Sequence, residues 1–441
     1  MSFPRYPNYK NSGVGWLGSI PQHWEVKKGR RLYAQHRSPA QPTDEQLSAT
    51  QKYGVLPQKM FMELEDQKVT LALSGLENFK HVVKGDFVIS LRSFQGGIER
   101  SNYSGCVSPA YTVLRSVNPT EGRYWGYVFK SQGYIGALQS MTAGIRDGKN
   151  ISYQQFGEIE LPVVADDEQT QIANFLDRET KKIDALMLEQ WRLIELLNEK
   201  RQDVILHAVT RGLNPGARLK PSGIEWLGDV PAHWELHRVK SVSSFATSGP
   251  RGWSERVGEE GALFIQSGDL DDTLRVIFAQ SKRVRVTQDA ETARTVLMDG
   301  DVVVCITGAK TGNVAVCNEV PEPAYINQHL CLIRPTKKAL PMFLGAVLKS
   351  RVGQVYFELS QYGLKQGLSL DDVKNAVLVL PPLFEQSVIV AHIKLETKKL
   401  DALTDEAKQA IHLLQERRIA LISCAVTGQI DVRGLAESEA A

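Results

Sequence analysis

The chain has 441 residues, 42% of them hydrophobic and 23% charged, with a formal net charge of +2. That balance suits a folded protein of several domains and excludes an intrinsically disordered chain. It also excludes a chain that holds nucleic acid by bulk charge alone, so any such contact must come from local basic residues or from a partner.

The first recognisable element is Ser12-Gly13-Val14-Gly15-Trp16-Leu17-Gly18-Ser19-Ile20-Pro21-Gln22-His23-Trp24-Glu25, a turn-rich segment with two tryptophans. A strand is expected at Lys84–Ser90, where a Gly-Asp turn precedes a β-branched run, and another at Val113–Arg115. A helix is expected from Tyr124 to Gln139, then a strand at Ile159–Pro162. From Glu168 to Thr210 the pattern is that of one long helix without interior Pro or Gly, closed by Gly212. Leu176, Ile183, Gln190, Leu197 and Val204 recur every seven residues, with Glu179, Leu186, Leu193, Lys200 and His207 filling a three-residue offset.

Then the chain starts again. Ser222–Glu235 repeats Ser12–Glu25 with nine of fourteen residues identical. Strands are expected at Asp299–Cys305, Leu330–Arg334 and Val377–Pro381, and a helix from Pro341 to Ser360. Glu385–Thr427 matches Glu168–Thr210 without a gap, including Glu179-Thr180-Lys181-Lys182-Ile183-Asp184-Ala185-Leu186 against Glu396-Thr397-Lys398-Lys399-Leu400-Asp401-Ala402-Leu403. Its heptads are Ile393, Leu400, Ala407, Leu414 and Leu421, with Glu396, Leu403, Ala410, Arg417 and Cys424 in the second register. A repeat of this length is a whole domain plus a connector, and two copies suggest an internal two-fold relation in which the helices pair antiparallel. A helix of about 40 residues is roughly 60 Å long. The segments between the motifs and the helices differ in length and are hard to align, so the frame is constrained and its contents are not.

The expected organisation is therefore a first mixed α/β domain at 1–160, a central helical spacer at 161–212, a second domain at 213–380, and a C-terminal helix and tail at 381–441. The fold class is α+β, with two α/β domains in a pseudo-two-fold arrangement joined by two long antiparallel coiled-coil helices. Trp16, Trp24, Trp226 and Trp234 are expected to seat each domain on a helix. No run approaches the ~20 apolar residues that cross a bilayer, and no basic segment followed by an apolar stretch opens the chain, so no membrane partner is expected and the cytoplasm is the expected compartment. Cys106, Cys305, Cys317, Cys331 and Cys424 are odd in number and lack metal-ligand spacing, which fits reduced thiols.

The ordered set of motifs resembles one family. A Gly-x-x-Trp-Leu-Gly-x-x-Pro-x-His-Trp-Glu opening, a Gly-Asp strand, a Leu-Pro followed by Glu-Gln, and a long helix carrying Glu-Thr-Lys-Lys-x-Asp-Ala-Leu, all twice, look like the specificity subunit of Type I restriction-modification systems. The resemblance implies two target-recognition domains, each reading one half of a split double-stranded DNA sequence, with the helices as a ruler. It implies two modification (methyltransferase) subunits as partners, carrying S-adenosylmethionine, and two restriction subunits, using ATP and Mg, that can join. This chain would hold no cofactor and no metal and perform no chemistry.

Base edges in the major groove are read by Arg or Lys at guanine and Asn or Gln at adenine, from loops on a rigid scaffold. In the first domain the candidates are Arg92, Gln95 and Arg100 after the Gly-Asp strand, and Arg146, Lys149 and Asn150 in the next glycine-rich loop. In the second they are Lys310, Asn313, Gln328, Lys365 and Gln366. Lys181-Lys182 and Lys398-Lys399 read as solvated helix faces.

Self-contained catalysis has little support. An adenine methyltransferase needs an Asn/Asp-Pro-Pro-aromatic segment, and only Asn118-Pro119-Thr120 and Asn214-Pro215-Gly216 come near it. Gly308-Ala309-Lys310-Thr311-Gly312 lacks the order of a phosphate-binding loop. The rival reading is an orphan specificity chain, or a coiled-coil scaffold that does not read DNA.

Overall fold

The structure, a computed structural model, describes residues 3–65, 76–90, 97–118, 122–141, 151–287, 289–361 and 367–435. The chain divides into two units, Met1–Gln190 with Gln409–Ala441, and Trp191–Lys408. Each long helix begins in one unit and ends in the other, so the units cut across the boundaries expected from the linear repeat.

In the first unit the tryptophan motif folds as a hairpin, Tyr9–Asn11 against Ser19–Pro21, and Glu25–Lys28 then pairs with Glu160–Val163. A four-stranded antiparallel sheet follows, in the order Tyr33–His36, Thr112–Ser116, Phe87–Ile89, Ile98–Arg100. Alternate residues of these strands face a core in which Tyr33, Phe87, Trp125, Phe129 and Phe156 are buried. Phe87 and Phe129 meet edge to face at 5.0 Å, the arrangement that aligns a positive ring edge with a negative face.

The second unit repeats this plan. Leu219–Pro221 pairs with Asp229–Pro231, and Glu235–Arg238 with Val377–Leu380. Its antiparallel sheet runs Ser243–Ser248, Leu330–Pro335, Val302–Cys305, Val314–Val316, the same strand order as in the first unit. The copies part in the second layer. The second unit adds a four-stranded sheet, Val257–Gly258, Lys282–Val284, Ala262–Ile265 and Ala324–Ile326, with its last pair parallel. The first unit has at that stage two-stranded ladders, Leu47–Thr50 with Gly54–Pro57 and Lys80–Val82 with Gly105–Val107.

Each expected domain helix is two. The first breaks at Ser131, between Gly122–Lys130 and Gln132–Met141, and the second at Ser350, between Pro341–Lys349 and Arg351–Leu359. The serine hydroxyls donate to Val128 O and Val347 O, both at 2.7 Å, satisfying carbonyls that a continuing helix would bond to backbone N–H.

The long helices are Asp166–Arg211 and Leu383–Val426. Within each unit they run antiparallel. In the first, Asp184 pairs with Arg418 at 2.9 Å while Arg178 donates to Leu435 O; in the second, Asp401 pairs with Arg201 while Ile205, Ala208 and Val209 share a core with Ile389 and Ile393. The two ion pairs are copies of each other under the repeat, so the Asp of the Glu-Thr-Lys-Lys-x-Asp motif is the cross-helix partner.

The first heptad register lies inward as expected, with Leu176, Ile183, Ile393, Ala407 and Leu421 buried. The second does not. Leu186, Leu193 and Leu403 are exposed, and the seam is completed four residues on from the first register, by Thr180, Ile194, Ala208, Ile411 and Ala425. Positions i+3 and i+4 flank the same helical line, and only the partner's side of approach decides which one is covered.

Trp24 and Trp234 are fully buried, Trp16 is half-buried with its Nε1 donating to Glu160 O, and Trp226 is exposed, so three of the expected anchors hold and Trp226 does not. In the first unit Glu168, at the head of the first helix, accepts from Trp24 Nε1 at 3.1 Å, Tyr6 Oη at 2.7 Å and His23 Nε2 at 2.8 Å. The same indole lies against the end of the second helix. A Cβ on Gly428 would come within 3.1 Å of Trp24 and 2.3 Å of Pro21, and in the second unit one on Gly212 would come within 3.2 Å of Trp234. Both glycines also have φ near +70°, the left-handed turn that ends a helix.

Among the described residues no helix is long and apolar enough to cross a membrane, and no cluster of His, Cys, Asp or Glu could hold a metal ion. All five cysteines are free thiols, four of them buried.

Candidate nucleic-acid interface

The Gly-Asp motif pins one hairpin in each unit. Asp86 accepts from Arg115 Nε and NH2, at 2.8 and 2.6 Å, and from Val83 N at 3.0 Å. Asp301 accepts from Arg334 Nε and NH2, at 2.8 and 2.7 Å, and from Met298 N at 2.8 Å. Both aspartates are buried. The forked guanidinium ties the strand that follows Asp to the strand beside it, which aims the loop at the far end of the hairpin.

In the second unit that loop is 306–312. Cys305 N donates to Asn313 O and Gly312 N to Cys305 O, both at 2.8 Å, closing its base. Ile306 N bonds His329 O, and Leu368 N bonds Ile306 O, each at 2.8 Å, so three segments far apart in sequence meet here. Thr307 Oγ1 lies 2.5 Å from His329 Nδ1, and His329 Nε2 lies 3.1 Å from Gln328 Nε2.

The expected contact residues divide accordingly. Lys310 is exposed on the loop, with Nζ 3.4 Å from Leu270 O, and Gln328, on the 327–329 segment, is half-buried with its Oε1 turned inward. Asn313 is buried at the base, its Nδ2 donating to Leu270 O at 3.2 Å and its Oδ1 accepting from Lys349 Nζ at 2.5 Å and Val314 N at 3.0 Å, so its amide is spent on the fold. Arg100 lies at the other end of its hairpin from the loop, opposite Phe87, with its Nε 2.6 Å from where a Cβ on Gly122 would stand. Three residues of strand put it about 10 Å from the loop base. Arg92, Gln95, Arg146, Lys149, Asn150, Lys365 and Gln366 lie outside the described residues. Ser90 N donates to Gly97 O at 3.0 Å, beyond the strand pair Phe87–Ile89 and Ile98–Arg100.

A lysine at the end of the helix after the sheet reaches each hairpin, and sequence reading missed both. Lys130 pairs with Glu99, while Lys349 reaches Asn313 and lies 3.6 Å from Asp272. The signal was present as Val128-Phe129-Lys130-Ser131 against Val347-Leu348-Lys349-Ser350. Burial pushes Lys349 below the usual lysine value, against the pull of Asp272.

Burial likewise pushes the Glu99 carboxyl up to about 7, and Lys130 opposes that rise. Between the ordinary carboxyl value and about 7 the folded chain keeps a proton that the unfolded chain has lost, so the contribution is full at low pH and fades as pH rises through this window. Glu99→Gln is expected to flatten that slope when urea midpoints are compared from about pH 5 to about pH 8. An unchanged slope would assign the titration to another group.

Residues 259–413 match the Type I restriction modification DNA specificity domain. The chain is 24% identical over 340 residues to the Type I restriction enzyme EcoKI specificity subunit of Escherichia coli (strain K12), covering 74% of this chain and 69% of that protein. It is 21% identical over 333 residues to the StySPI specificity subunit of Salmonella potsdam, with the same coverage. In fold it is similar to a chain of a solved type I R-M system described for its complex assembly and conformational transition, with a TM-score of 0.68, 16% identity, and 93% of this chain and 99% of that one covered. The HsdS subunit of Thermoanaerobacter tengcongensis matches with a TM-score of 0.50 and 18% identity, over 93% of this chain and 98% of that one.

Proposed function

We infer that this chain, which belongs with the specificity subunits of Type I restriction-modification systems, reads a bipartite and asymmetric double-stranded DNA sequence and positions the subunits that act on it. The observation that carries this is a single strand order used twice, each copy with an Asp–Arg-pinned hairpin, under two unlike second layers. Like frames with unlike readers suit two half-sites of different sequence.

Lys310 and Gln328 are the proposed contacts to the second half-site, with Lys365 and Gln366; to reach a base Gln328 turns its amide away from His329. Arg92, Gln95, Arg146, Lys149 and Asn150 are proposed for the first. Asn313 supports its loop rather than touching a base, and Arg100, at the far end of its hairpin, is set aside as a base contact. Lysine reads guanine O6 and N7, and glutamine reads the N6 and N7 edge of adenine.

A net charge of +2 gives the chain little general hold on phosphate, so partners supply much of the backbone contact. Two modification subunits carrying S-adenosylmethionine fill that role, and two restriction subunits using ATP and Mg join them. The chain itself performs no chemistry and holds no cofactor.

The test is methylation of a random-sequence DNA pool by this chain mixed with its modification subunits. A sequence-specific product in two parts is expected. Absence of any sequence preference would favour a scaffold that does not read DNA. Exchanging residues 26–160 for those of a related chain is expected to alter one half-site and leave the other unchanged.

A further inference from the structure

We propose that Lys349 is a positioning residue for base reading, holding the loop 306–312 in the one arrangement from which the second half-site is recognised. The proposal rests on the reading that this loop contacts DNA.

The loop is held from two sides by side chains that do not display themselves to a ligand. On one side Lys349 Nζ donates to Asn313 Oδ1 at 2.5 Å, and Asn313 passes the constraint on through Nδ2 to Leu270 O. On the other side Gln354 Nε2 donates to Gly312 O at 2.9 Å and to Leu348 O at 2.8 Å. Leu270 belongs to a tight hairpin in which Ile277 N bonds Asp269 O at 2.8 Å, and the same Leu270 carbonyl faces Lys310 Nζ at 3.4 Å. One carbonyl thus sees both the base of the loop and its exposed lysine. Displacing Asn313 shifts Lys310 with it.

The Lys349 side chain is only 14% exposed, which makes it a poor phosphate contact and a good strut. A buried ammonium is retained where it has fixed acceptors, and its chain fixes the distance between them. The first unit uses the corresponding lysine, Lys130, in the same way, on Glu99 of the equivalent hairpin strand. A lysine at the same helix end in both copies, reaching the returning side of the hairpin at Glu99 in one and at Asn313, just before the strand Val314–Val316, in the other, marks a positioning device of the frame rather than a base contact.

The test uses the full chain assembled with its modification subunits, on double-stranded DNA randomised across both half-sites, with methylated products sequenced. Lys349→Met removes the donor and keeps the length of the side chain. Base discrimination at the second half-site is expected to fall about tenfold, the equivalent of losing part of one specific base contact, with the first half-site unchanged. Asn313→Asp keeps an acceptor for Lys349 but removes the Nδ2 donor to the Leu270 carbonyl, and is expected to relax the second half-site as well. Unchanged discrimination in Lys349→Met, or equal relaxation at both half-sites, would overturn the proposal. If Lys349→Met does not assemble, Gln354→Met releases the loop at Gly312 and is read in the same way. A parent complex that methylates without sequence preference would instead defeat the underlying reading.

Discussion

Replacing Asp301 by alanine is expected to lower the stability of the second unit by about 3–5 kcal/mol, the usual cost of removing one partner from a buried ion pair. Asp301 is 1% exposed and accepts three hydrogen bonds, two from Arg334 and one from Met298 N. Without the carboxylate, the Arg334 guanidinium keeps Val296 O as its acceptor among the described residues, and Met298 N loses the Asp301 oxygen. The strand pair Val302–Cys305 and Leu330–Pro335 then loses the tie that aims the loop 306–312. Urea unfolding should show the loss directly, and methylation sequencing should show the second half-site failing first. Asp301→Asn, which keeps the shape and one acceptor, is expected to cost less. A change below about 1 kcal/mol in Asp301→Ala would place this pair among those that solvent already compensates. Asp86→Ala is the matching experiment in the first unit, where Arg115 is the stranded cation.

Lengthening both long helices together is expected to change the target's spacing and nothing else. Seven residues inserted after Glu195, with seven more after Ala407, add one heptad to each helix and leave the ion pairs Asp184–Arg418 and Arg201–Asp401 on opposite sides of the insertions. The added rise is about 10 Å, or about three base pairs at ~3.4 Å each. Methylation of the original target should be lost, and a target with about three more unspecified base pairs, and the same half-site bases, should replace it. Altered half-site bases at the old spacing would contradict a ruler. Paired insertion is the sharper experiment, because lengthening one helix alone breaks the antiparallel register of the other.

Much of the frame was legible in the sequence because it is local or periodic. Trp24 and Trp234 recur in a turn-rich motif, Gly212 and Gly428 close helices that contain no interior Gly or Pro, and the Gly-Asp turns precede runs that become strands. The seven-residue spacing of Leu176, Ile183, Ile393 and Leu421 correctly marked buried positions. Each of these signals depends on neighbours within a few residues or on one helical period.

Other features depended on what approaches from elsewhere in the chain. Leu186 and Leu193 carry the hydrophobicity of a seam, yet the covered positions are Thr180 and Ile194, because the partner helix lies on the other side of the first register. Nothing in Trp226 itself distinguishes it from Trp16, whose indole finds Glu160 O and Tyr134. Asn313 has the chemistry of an adenine reader, but Lys349 and Leu270, distant in sequence, consume its amide. The doubled architecture, the helix ends and the paired Gly-Asp strands were therefore determined by sequence alone, since propensity and periodicity act along the chain. Which polar side chains are left open to a ligand and which only hold the loop was decided by tertiary structure, since a hydrogen-bonding group is available to a ligand only where folding has left it unspent.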